Sequence, residues 1–174
     1  MAESNGSEEA RAQTDAPEFI YETFYGAAIG GSIVALLFLL VDAVRGEPLF
    51  TPSLMGSVLF RDVAAADVVG VDMGAAALYT AIHFASFLGL GAVVAFAVRE
   101  AELHSRHPIL VMLGVFVLLE GGFILAATTL LPGVLEVVGV GRVGVANALA
   151  AFGMGLFITY EHRPSLVRGR SGAA

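Results

Sequence analysis

The amino-acid sequence predicts an all-α, polytopic membrane protein with four transmembrane helices and a short interfacial helix between the first two. Three observations carry this expectation. The chain of 174 residues is 57% hydrophobic and only 14% charged, with a mean hydropathy of +0.81, outside the range of soluble globular chains. Four apolar runs, at about residues 24–41, 74–98, 108–131 and 143–160, approach the roughly 20 residues that a helix needs to cross about 30 Å of hydrocarbon. They are continuous, without the alternation of barrel strands, and a helix satisfies its own backbone amides in lipid.

Residues 1–17, MAESNGSEEARAQTDAP, are acidic and poor in aliphatic side chains, so they predict a flexible tail. Acidity ahead of the first apolar run argues against a secretory signal. The first span carries GAAIGGS, and FLGLGAV, EGG and FGMGL lie in the later spans. Such glycines weaken a helix in water but let neighbouring helices approach closely in lipid. Asp42 and Arg45, at the end of the first span, are expected to form a local surface pair.

The segment LFTPSLMGSVLF, Leu49 to Phe60, is apolar yet too short to span. Thr51 suits an N-cap and Pro52 the first helical position, so an interfacial helix is expected over about 52–60, roughly 13 Å long. Its residues Thr51, Pro52, Leu54, Met55, Leu59 and Phe60 are candidates for contact with a partner. The connection REAELHSRH is short and predicts an antiparallel hairpin of the second and third spans. LPGVLEVVGVGRVG, before the fourth, suggests a second small cap on the face of the interfacial helix. Residues 18–162 then form one transmembrane domain, and 163–174 a flexible C-terminal tail.

Four spans put both termini on one side. Arg11, Arg99, Arg106, Arg163, Arg168 and Arg170 fall there, against Arg45, Arg61 and Arg142 opposite, which predicts cytoplasmic termini. The net charge of −7 argues against a nucleic-acid partner. The absence of cysteine rules out disulfides, thiolate catalysis and iron–sulfur clusters.

Ionisable and polar side chains are costly inside a membrane, so they mark candidate sites. Tyr79, Thr80 and His83 lie in the second span, Glu120 in the third and Asn147 in the fourth, and His83, Glu120 and Asn147 fall within roughly 6 Å of their span centres in depth. One reading is a His–Glu–Asn cluster that takes up or passes protons, with Tyr79 on the His83 face. The other, preferred here, is interhelical hydrogen bonding that fixes packing, since a transport route needs more polar residues along a helix face. No cofactor is expected. A haem or a chlorin at His83 is the alternative, but a bis-histidine haem lacks its second ligand, because His104, His107 and His162 fall near the inner surface.

Gly46, Pro48, Thr51 and Pro52 after the first span, followed by Tyr79, Thr80, His83 and Phe84 in the second, make a pattern that Glu120 and ANALAAFGMGLF extend. It resembles a group of uncharacterised four-span bacterial membrane proteins in which a Gly-x-Pro-x-x-Thr-Pro segment precedes a Tyr-Thr-x-x-His-Phe helix. The resemblance covers most of residues 20–162 and implies the bacterial inner membrane, with no assigned activity.

No nucleophile, phosphate-binding or metal-hydrolase motif occurs at credible spacing. The expected function is therefore a non-catalytic accessory or structural subunit of a larger energy-converting or transport complex, in contact with lipid and with membrane-protein partners. A small proton-coupled transporter built on His83, Glu120 and Asn147 is the alternative. A haem- or pigment-binding subunit is the second alternative.

Overall fold

The structure is a computed structural model that describes the backbone of residues 2–104 and 108–162. In chain order it forms helices α1 (Ala2–Val44), α2 (Phe50–Arg61), α3 (Met73–His104), α4 (Pro108–Leu130), α5 (Val134–Val138) and α6 (Val140–His162), with a 3-10 turn at Ala65–Asp67 between α2 and α3. No strand occurs among the described residues. The expected four spans are present as Glu18–Val44, Met73–Ala97, Met112–Leu130 and Val140–Phe157, each long and apolar enough to cross a membrane.

One boundary differs from expectation. The backbone does not break at residue 17, because α1 runs back to Ala2. Alanine, glutamate, glutamine and arginine in that segment are good helix formers, and extending an existing helix avoids the cost of nucleation. The C-terminal segment 163–174 lies outside the described residues.

Small residues decide which spans meet. Helix α1 is the hub, packed on α3 along one side and on α6 along the other. A Cβ at Gly91 would stand 2.5 Å from the Thr23 carbonyl oxygen, and one at Gly30 would stand 2.6 Å from the Met154 sulfur. Neither glycine can become alanine without displacing a neighbour. Around these contacts Ala27, Phe87, Val115, Leu119, Ala150 and Met154 form a buried core. Only 17 to 39% of each span's most apolar window is buried within the chain. The remaining apolar surface must be covered by lipid or by another apolar surface.

The short connection between α3 and α4 fixes their antiparallel sense but not their contact. They scarcely touch, and α4 lies on α6 instead. The physical reason is in α6: Gly155 receives Met112, and Gly144 leaves room for Glu120. The expected hairpin is therefore a wedge, joined at one end and open along its length.

The short helix expected between the first two spans is present as α2, and what differs is its depth: Thr51, Ser53, Leu54, Met55, Gly56, Ser57 and Val58 are all buried. Leu54, Met55 and Val58 form a second core with Leu131, Val134, Val138 and Val143, so α2 and the small helix α5 close the same end of the bundle. Close approach again needs a glycine, because a Cβ on Gly56 would fall on the Ala75 carbonyl. Gly56→Ala should consequently destabilise the protein by about 1–3 kcal/mol through overpacking against backbone. Gly121→Ala, whose Cβ would meet nothing within 4 Å, should be neutral. Thermal unfolding of both variants in detergent checks this, and equal midpoints would refute the close contact.

Candidate functional site

The polar groups at the α2 end are organised by Asp42. This carboxylate ends α1 and is only 1% exposed. Its Oδ2 accepts the Thr51 backbone N–H at 2.6 Å, and its Oδ1 accepts the Thr51 hydroxyl at 2.8 Å. The amide of Thr51 belongs to the first turn of α2, where N–H groups lack helical partners and the helix dipole favours an anion. The surface pair of Asp42 with Arg45 is thus replaced by a buried cap from one helix to the next. Thr51 is likewise not the N-cap. Leu49 holds that position in the left-handed region with φ 72°, because a buried carboxylate is a stronger partner for the threonine than its own helix.

The far side of α2 is tied to α3. Ser53 Oγ accepts the Asp72 N–H at 2.7 Å. Asp72 Oδ1 then accepts the N–H groups of Gly74 at 2.8 Å and Ala75 at 3.0 Å, which caps α3. Arg61 donates to Asp72 Oδ1 at 3.2 Å and pairs with its Oδ2 at 3.1 Å. The Ala75 N–H, then Arg61 and the Gly74 N–H, hold the Asp72 carboxyl below its ordinary value of 3.8.

The intramembrane residues singled out from the sequence fall into two separate pairs. His83 Nε2 lies 3.0 Å from the Gly31 carbonyl and joins α3 to α1. A carbonyl only accepts, so Nε2 carries the proton. The ring packs among Tyr79, Phe84 and Phe87. The Asn147 amide donates to Glu120 Oε2 at 2.8 Å and joins α6 to α4. No hydrogen bond links the two pairs among the described residues, so the single His–Glu–Asn cluster does not form. Thr80 bonds the Ala76 carbonyl of its own helix at 2.7 Å. Axial ligation of a haem through His83 Nε2 would first break the bond to Gly31.

Between the pairs lies the wedge. It encloses a cavity of about 520 Å³ walled by α1, α2, α3, α4 and α6. Most of its lining is aliphatic or aromatic, with six polar side chains: Thr51, Tyr79, Thr80, His83, Ser86 and Asn147. Glu120 is not in the wall. Of the six residues proposed for partner contact, Thr51, Leu54 and Met55 are buried in the chain itself, Pro52 and Leu59 are half-buried, and Phe60 is exposed. Thr51, Pro52, Met55 and Leu59 face the cavity.

Sequence reasoning did not single out Ser53, Asp72 or the Gly31 carbonyl. Asp72 had a readable signal, an aspartate three residues before a buried alanine at a span's start, the pattern of an N-cap. Glu22 was also passed over, and it is buried at 4% exposure.

Two measurements test the α2 anchorage. Asp42→Ala leaves the Thr51 N–H and hydroxyl without their acceptor and should cost about 1–3 kcal/mol, whereas Arg45→Ala at the exposed neighbouring position should cost little. Asp72 adds pH dependence of a definite sign. A carboxyl held low in the folded state stabilises the fold fully above its ordinary value, and that contribution is lost as pH falls through the folded value. Thermal midpoints in detergent should drop on acidification below about pH 4, less steeply in Asp72→Asn. An unchanged acid limb in that variant would remove Asp72 from the account.

No protein-family model, no curated protein and no solved structure matches the chain, so the site is read from its own geometry.

Proposed function

We propose that the chain is a non-catalytic integral membrane protein that holds a small lipid-soluble molecule in the cavity between α3 and α4. The cavity itself carries this reading. Its volume of about 520 Å³ falls within the roughly 300–1,000 Å³ of small-molecule sites. It also has the composition of such sites, an apolar wall with a few convergent polar groups. His83 and Glu120 are each committed to an interhelical hydrogen bond, which favours a packing role for them over proton transfer.

A second reading, an accessory subunit of a larger membrane complex, rests on a different observation. On α4, Gly114 and Gly121 have open space where a side chain would project, and only 17% of that span's most apolar window is buried. A partner helix can lie on this outer face without entering the cavity. Purification from native membranes in mild detergent, with mass spectrometry of small molecules and proteins that co-elute, tests both. A stoichiometric lipid-soluble compound is expected under the first reading and a stoichiometric membrane protein under the second. Recovery of the chain with neither sinks both.

The membrane is proposed to be the bacterial inner membrane, with both termini cytoplasmic and α2 on the outer side. The arginine distribution and the resemblance to four-span bacterial proteins support this. Because the chain has no cysteine, Ala66→Cys and Ser7→Cys can be labelled singly with an impermeant maleimide in intact cells. Labelling is expected at position 66 alone, and labelling at position 7 instead would reverse the orientation.

A further inference from the structure

We infer that the cavity selects a neutral amphiphile able to donate a hydrogen bond, an alcohol or a hydroquinone with an apolar body, over one that can only accept. The inference rests on the cavity being a ligand site, as proposed above. What carries it is the direction of the protons in the wall.

Four of the six polar side chains lining the cavity have a proton directed away into the protein. Thr51 gives its hydroxyl proton to Asp42, and Thr80 gives its own to the Ala76 carbonyl. His83 donates from Nε2 to the Gly31 carbonyl, and Asn147 donates an amide proton to Glu120. What these groups retain is acceptor capacity: the lone pairs of two hydroxyls, Nδ1 of a neutral imidazole and the Asn147 amide oxygen. Tyr79 and Ser86 complete the polar lining, and their hydroxyls donate or accept. Every one of the six lining side chains thus keeps acceptor capacity, whereas donor capacity remains only on Tyr79, Ser86 and the second amide proton of Asn147.

Charge selects further. The carboxylates of Asp42 and Glu120 stand behind Thr51 and Asn147 and are absent from the lining. No charged group thus faces the cavity to repay the desolvation of an ammonium. The apolar body of the guest has its place against Leu36, Leu118, Leu119 and Phe123, on the α1 and α4 walls.

The test uses the full-length chain in detergent and equilibrium dialysis of radiolabelled 1-dodecanol, dodecyl methyl ether and dodecylammonium, with protein-free micelles as the blank. A parallel arm compares decyl hydroquinone with its quinone, and the larger preference tells which body the site takes. The alcohol is expected to bind roughly tenfold tighter than its ether, as one hydrogen bond to a buried acceptor warrants. Thr80→Val, which keeps the side-chain shape and removes an acceptor, should reduce that ratio several-fold. Gly122→Leu places a side chain into the cavity from a wall position with open space before it and should abolish binding of every probe. If alcohol and ether bind equally and Gly122→Leu abolishes both, the cavity holds ligands but the donor selectivity is wrong. Tighter binding of the ammonium overturns the preference for a neutral guest. Binding that Gly122→Leu leaves untouched, or no binding at all, defeats the underlying reading.

Discussion

The bond pair from Asp42 to Thr51 is the constraint on which the α2 end of the molecule depends. A carboxyl side chain buried at the end of an apolar helix is tolerable only if its oxygens find donors. Here both donors come from one residue of the next helix, an amide at 2.6 Å and a hydroxyl at 2.8 Å. The amide lies in the first turn of α2, so the same contact that satisfies Asp42 completes a helix terminus. Fixing α2 at that point brings Ser53 to the Asp72 amide and Gly56 to the Ala75 carbonyl. The start of α3 is therefore positioned from α1 through α2.

Beyond that end, contact is governed by where side chains are smallest. Glycines at 30, 91 and 155 receive a sulfur, a carbonyl and a methionine stem respectively, and they draw α1 to both α3 and α6 and α6 to α4. In lipid no hydrophobic drive forces the remaining spans together, because acyl chains cover apolar surface as well as another helix does. Helices α3 and α4 can therefore stay apart despite their short connection. The wedge is a consequence of this balance, roofed by α2.

The same solvent explains the chemistry of the wedge. A donor in hydrocarbon has no water to turn to, so each hydroxyl or N–H seeks a carbonyl or carboxylate within the protein. Backbone carbonyls with a second lone pair are plentiful on helices, as Thr80, Thr128 and Thr129 illustrate by bonding carbonyls one turn back. Donors are taken up within the protein, and acceptor capacity is left over. A membrane cavity built this way acquires a hydrogen-bonding polarity without any residue placed for that purpose alone.

The four spans and the short helix were readable because their signal is local. Length and continuous apolarity are sufficient where lipid demands that each segment satisfy its own backbone. The residues worth examining were readable too, since His83, Glu120 and Asn147 stand out against an apolar background. Their partners were not. Nothing in the spacing of positions 31, 83, 120 and 147 says that His83 meets a carbonyl on α1 while Glu120 meets Asn147 on α6. Those pairings depend on helix rotation and on which glycine faces which side chain. By itself the sequence determined the number, length and apolar character of the helices. Only the tertiary structure decided that Asp42 turns inward, that α2 is buried and that α3 and α4 part around a cavity, because each of these is a contact between segments distant in the chain.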